Sequence, residues 1–223
     1  MQKVKTIGLA MLALLAVGAV AAASASAAEV TNIFLAGATS TTFSGTSGAG
    51  HLSTTGNFLS VQCKKGKSSG KVEAHKGEAT LTFEECTLLG SPCNGLGAAA
   101  GTIPTSGTFT SVYDSLSPLL PAILLTIKEV HIECPSLGVL LLVKGNLLLL
   151  FGTLTSGTEV TSTTLVVTVK EGKPGDTKYW ETSSGAEKHP LLLTSENGGE
   201  FKESGDESAE NKVTYAAMVG TEF

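Results

Sequence analysis

Four cysteines, four histidines and one adjacent Tyr-Trp pair are the residues of this chain with the most chemistry to offer. Cys63, Cys86, Cys93 and Cys134 admit three disulfide connectivities. Cys63 continues the apolar alternation of Leu59 and Val61, and Cys134 continues that of Val130 and Ile132. Both therefore point toward a core, where they can meet. Cys86 breaks the parity of Ala79, Leu81 and Phe83 and leads into Thr87 to Pro92, a Gly-Ser-Pro turn that reaches Cys93 quickly. The expected pairing is Cys86–Cys93 with Cys63–Cys134, the other two connectivities remaining open. Loop entropy would make the long bridge worth about 4 kcal/mol and the short one about 2–3. A four-cysteine zinc site wants close pairs with two to four residues between partners, a spacing this chain lacks.

His131 and Glu133 share one strand face, a spacing that suits a metal ligand pair or a general base. The same spacing is the polar outer face of a strand whose inner face is Val130, Ile132 and Cys134, and that is the reading adopted. Gly45-Thr46-Ser47-Gly48-Ala49 lacks the last glycine of a nucleophile elbow. Gly95-Leu96-Gly97-Ala98-Ala99-Ala100 matches a loose dinucleotide pattern without the strand and helix that would give it meaning. Glu84 and Glu85 are neighbours and face opposite ways on a strand. Glu203, Asp206, Glu207 and Glu210 lack the spacing of a calcium loop. No catalytic residue, metal ligand or cofactor is expected. Tyr179-Trp180 is the candidate ligand contact: one ring goes inward, and the other is free to stack on a sugar.

These residues must be carried by strands. Helical periodicity is scarce, whereas period-two alternation recurs at Asn57 to Cys63, Glu78 to Phe83, Leu165 to Val169 and Val213 to Val219. Turn signals stand between them at Ser44 to Gly48, Gly66 to Gly70, Gly90 to Pro92, Gly172 to Asp176 and Asn197 to Gly199. The pattern predicts an all-β fold, an antiparallel sandwich or barrel of about ten short strands. Val139 to Phe151 reads as two buried strands broken at Gly145-Asn146 by a bulge or hairpin turn. Ile123 to Cys134 changes parity at Lys128-Glu129, which predicts a bulge or tight turn. Ser115 to Pro121 reads as a loop or one helical turn, and the acidic stretch Glu200 to Glu210 as a long hairpin loop.

Met1 to Ala28 reads as a secretory signal peptide. Lys3 and Lys5 precede an apolar run from Ile7 to Val20, and Ala25-Ser26-Ala27-Ala28 supplies small residues for cleavage. The remaining residues, 29–223, are expected to form a single domain in surroundings where disulfides persist. The apolar run is too short for a comfortable membrane span, and no C-terminal anchor is expected. The whole chain has a net charge of −5; the leader holds two lysines and no acid, which leaves −7 for the rest. Every one of the 15 basic residues is lysine. An acidic chain without arginine is a poor nucleic-acid binder. The lysines at 64, 65, 67, 71 and 76 are read as a solvated loop around the Gly66 to Gly70 turn.

One resemblance stands out. The segment Phe43-Ser44-Gly45-Thr46-Ser47-Gly48 precedes Cys63, then the Ser68-Ser69-Gly70 turn and a strand ending Leu81-Thr82-Phe83-Glu84-Glu85-Cys86. A Gly-rich loop with Cys93, a strand ending in Cys134 and the apolar stretch Val139 to Phe151 follow. Over residues 35 to 155 this is similar to a family of uncharacterised exported four-cysteine β-proteins of soil actinobacteria. The resemblance implies export and a β fold, and no particular activity or ligand. The leucine-rich stretch and the lysine-rich turn depart from the group. The expectation is a secreted or cell-surface, non-enzymatic β protein, with the cell envelope or a glycan as its contact. The alternative is a secreted binding module for an apolar small ligand or a glycan.

Overall fold

The computed structural model describes residues 34–35, 39–54, 59–152, 159–169, 177–208 and 211–220. The expected signal peptide and the Gly172 to Asp176 turn lie outside them. The chain runs through β1 (Phe34–Leu35), β2 (Thr41–Ser47), β3 (Gly50–Thr54), β4 (Ser60–Cys63), β5 (Lys65–Glu73) and β6 (Lys76–Glu84). Three two-residue strands follow: β7 (Thr87–Leu88), β8 (Ser91–Pro92) and β9 (Asn94–Gly95). Then come β10 (Ile103–Leu116), β11 (Leu119–Cys134), a 3-10 turn at Pro135–Leu137, and β12 (Val139–Phe151). The last strands are β13 (Glu159–Val169), β14 (Leu192–Glu196), β15 (Lys202–Ser208) and β16 (Asn211–Gly220). The all-β expectation holds. The strands are more numerous than the ten expected, and β10 to β12, at 14, 16 and 13 residues, are not short.

Eight of them close on themselves. Antiparallel pairing runs β2–β5–β6–β10–β11–β12–β13–β16 and returns to β2. Closure removes the unpaired edges that a flat sheet would expose. The ring is split on one side. β12 pairs with β13 only from Leu149 to Phe151, while its Leu141 to Gly145 half pairs with β14. β14 hands over to β15, which starts a second sheet ordered β13–β15–β3–β4–β7–β8. Leu52 and Val61 of this second sheet, and Leu59 just before β4, pack into the same core cluster as the inward residues of the barrel. Strand alternation sets the inward faces as read from sequence: Leu59, Val61 and Cys63; Ala79, Leu81 and Phe83; Leu165 and Val167; Val213 and Tyr215.

Several local expectations are corrected. Ser44 to Gly48 and Gly66 to Gly70 are not turns; they lie largely within β2 and β5, paired to each other from Thr41↔Val72 to Ser47↔Gly66. Their small residues serve the crowded inner wall of the barrel, not a change of direction. Glu200 to Glu210 is not a loop but contains β15, whose polar residues sit on a sheet paired on both sides. β12 runs straight through Gly145-Asn146. Gly145 adopts φ 125, and an added Cβ would lie 2.0 Å from the Leu191 carbonyl oxygen, so glycine is needed where β14 docks. The bulge falls at Lys128-Glu129 as expected, between the pairs Ile127↔Gly145 and Val130↔Val143. Ser115 to Pro121 is a tight hairpin, with Leu116 opposite Leu119.

Candidate functional site

The four cysteines hold one flank of the barrel. Strand register places them in a single row. Gln62 faces Thr87, Thr87 faces Pro92 and Glu133 faces Asn94, so Cys63, Cys86, Cys93 and Cys134 follow one another across neighbouring strands. The bonds are Cys63–Cys86 and Cys93–Cys134, with Cα atoms 4.0 and 4.2 Å apart. The expected Cys86–Cys93 and Cys63–Cys134 pairing is therefore overturned. Cys86 and Cys93 do sit opposite each other, but as a hydrogen-bonded pair: the Cys93 N–H donates to the Cys86 carbonyl at 2.9 Å. In antiparallel sheets the pairs that are not hydrogen-bonded bring side chains closer, and the sulfurs bond there. Cys86, Cys93 and Cys134 are completely buried, inside the main core cluster.

The other candidates disperse. Tyr179 is buried in a second cluster with Val112, Ala122, Leu124 and Leu148 on the outer face of the long β10–β11 hairpin. Trp180 is half-buried, and its backbone exchanges two hydrogen bonds with Tyr113, at 2.8 and 2.9 Å. One ring thus faces in and the other partly out, as alternation requires, but burial withholds Tyr179 from any ligand. His131 pairs at 3.2 Å with Glu129, which sits in the bulge just before it, and not with the expected Glu133. The clustered lysines meet acids: Lys64 and Lys65 reach Glu85 at 3.1 and 2.9 Å, and Lys65 and Lys67 reach Glu84 at 3.5 and 2.6 Å. Hydrogen bonds from Lys67 hold Glu84 below the usual carboxylate range, and those from Lys65 and Lys64 do the same for Glu85. No three metal-ligating side chains gather among the described residues.

What the sequence did not disclose is the barrel interior. One cross-strand row around the wall reads Tyr215, Phe43, Gly70, Ala79, Gly107, Ile127 and Gly145. Large residues at Tyr215, Phe43 and Ile127 share the row with small ones at Gly70, Ala79, Gly107 and Gly145, so that rings fit over glycines. An added Cβ at Gly70 would lie 2.6 Å from the Phe43 ring, and one at Gly77 would lie 2.3 Å from the Phe109 ring. Phe43 and Phe109 meet edge to face at 6.0 Å, and Tyr215 leans on Phe43 at 6.4 Å. Farther along the wall the inward positions are Ser47 and Gly66, with the Phe83 ring beside Gly66, then Ser68 and Thr105. The result is a cavity of about 170 Å³, lined chiefly by aliphatic and aromatic side chains. Phe43, Leu81, Phe83, Ile127, Leu149 and Val167 all face it, and all remain only partly buried. Lys67 borders the cavity, but its ammonium turns out to Glu84. Comparison with protein-family models, curated proteins and solved structures returned no match.

Proposed function

We propose that this protein is an exported, non-enzymatic β-barrel that holds a small apolar ligand inside the barrel. The observation that carries the reading is the apolar cavity of about 170 Å³ within a closed wall. A dry cavity of about 150 Å³ suffices for benzene, whereas drug-sized ligands need about 300 Å³ or more. The ligand class is therefore a single ring or a short branched chain. The lining is mostly hydrocarbon with a few hydroxyls; His51 and Lys67 are its ionisable members besides Tyr215, and the Lys67 ammonium is engaged by Glu84. Two disulfides and the lysine-then-apolar leader support export into oxidising surroundings.

Calorimetric titration and thermal unfolding with benzene, toluene and cyclohexanone test it. A ligand at one hundred times its Kd should stabilise the fold by about 2.7 kcal/mol. A polar solute of equal size, such as glycerol, should do nothing. The reading fails when none of benzene, toluene and cyclohexanone binds or raises Tm.

A further inference from the structure

Tyr215 is the one phenol on the cavity wall. It is 8% exposed and belongs to the main core cluster. Its hydroxyl has no hydrogen-bond partner among the described residues, yet it is not sealed in as Thr105 Oγ1, Ser111 Oγ and Ser204 Oγ are. A hydroxyl without a protein partner gains a hydrogen bond when a ligand oxygen meets it. Burial alone pushes Tyr215 up to about 12, and no charged neighbour contributes. The phenol is therefore a permanent donor at neutral pH with no charged group beside it; of the cavity's basic side chains, Lys67 turns its ammonium out to Glu84, and neither it nor His51 acts on Tyr215. A carboxylate entering there would lose its hydration with no counter-charge.

We propose that Tyr215 is the specificity-determining residue of the cavity: its hydroxyl donates to one neutral oxygen on the ligand. The site then selects small, uncharged, oxygen-bearing molecules, such as cyclic ketones, over hydrocarbons of the same size and over carboxylates. This rests on the cavity being a ligand site, and it assigns the polar end of that ligand.

The test uses the folded, disulfide-bonded protein and its Tyr215→Phe variant, each titrated with cyclohexanone, methylcyclohexane and cyclohexanecarboxylate. The variant should bind cyclohexanone about five- to tenfold more weakly than the parent, with methylcyclohexane unchanged. Cyclohexanecarboxylate should bind neither protein. A second readout does not need the variant: the carbonyl stretch of bound cyclohexanone should lie at lower frequency than in alkane solvent. Parent protein that binds no member of the set overturns the ligand-barrel reading and this inference with it. Binding of the neutral pair with equal losses for both in Tyr215→Phe, or with no change in either, overturns the role of Tyr215 alone. So does an unshifted carbonyl stretch, or carboxylate binding as tight as that of the ketone.

Discussion

Replacing Cys86 and Cys93 together by alanine separates two connectivities that look alike in sequence. In the alternative pairing the change deletes one short bridge and leaves Cys63–Cys134 intact. In the observed row it removes a partner from each bond, Cys63–Cys86 and Cys93–Cys134. The survivors, Cys63 and Cys134, are then three strand spacings apart, about 14 Å along the row. A disulfide spans about 7 Å between Cα atoms at most, so they cannot join without rebuilding the sheet. The loops closed by the native bonds have sequence separations of 23 and 41. Loop entropy values them at about 3.4 and about 3.9 kcal/mol. They do not overlap, so the double variant should lose about 7 kcal/mol, against a total of about 5–15 for a typical domain. Urea unfolding under non-reducing conditions gives the loss, and thiol titration gives the free cysteines, expected to be two. Cys63→Ala with Cys86→Ala should lose only the smaller share and leave no free thiol. A Cys86→Ala, Cys93→Ala protein with no free thiol, a Cys63–Cys134 peptide and a loss of about 2–3 kcal/mol would refute the row.

Three further outcomes are expected. Gly77→Ala places a Cβ 2.2 Å from the Lys71 carbonyl oxygen and 2.3 Å from the Phe109 ring, and backbone cannot yield as a side chain does. It should cost about 3 kcal/mol by urea unfolding, and a loss below about 0.5 would contradict the ring-over-glycine wall. At high pH, Tyr215 stays protonated in the fold up to about 12 but ionises near 10 once unfolded. Its contribution is therefore whole below pH 10 and is lost as pH climbs to 12, by up to about 2.7 kcal/mol, a limb that Tyr215→Phe should shrink without abolishing, since burial also raises Tyr113 and Tyr179. At low pH, Glu73, Glu84 and Glu85 are held below the ordinary carboxylate value by their lysine partners. Their contribution is present above that value and fades as pH falls through their lowered values; these side chains are exposed, so 1 M salt should flatten this acid limb, and an unchanged limb would count against the pairs.

Much of the wall was readable because period-two alternation is a local signal. Ala79, Leu81 and Phe83 announced their inward face, and the parity change at Lys128-Glu129 announced its bulge. Ser44 to Gly48 and Gly66 to Gly70 misled for a physical reason. Glycine and serine mark turns, but they are equally the residues that fit where rings from across a barrel press on the backbone. Nothing local distinguishes the two uses, because the Phe43 that covers Gly70 lies 27 residues away in sequence and becomes its neighbour only on pairing. The cysteines show the same limit. Parity put Cys63 and Cys134 on inward faces correctly, but whether a cross-strand pair is hydrogen-bonded depends on register, which the sequence does not display. Tyr215 was legible as a core residue and not as a site, since its unpartnered hydroxyl has meaning only once the barrel closes around it.

The empty space itself bears on function. An eight-stranded barrel is just wide enough for ordinary side chains to fill. Here aromatic rings close over Gly70 and Gly77, yet about 170 Å³ of the interior, with Ser47, Gly66, Ser68 and Thr105 among its lining, is left unfilled. At about 24 cal/mol per Å³, a void of that size forgoes about 4 kcal/mol. A deficit this large is easily repaired by single substitutions, and it tends to persist where activity needs it. Thr105 is the place to ask, because its Oγ1 is buried without a partner on the cavity wall. Thr105→Leu removes that orphan hydroxyl and adds hydrocarbon to the void. It should raise stability by about 1–2 kcal/mol in urea unfolding and at the same time weaken benzene and cyclohexanone binding at least tenfold. Opposite signs for stability and binding are what a retained ligand cavity requires. A destabilised variant that still binds both molecules as the parent does would mean that the void is a packing defect and that the ligand sits elsewhere.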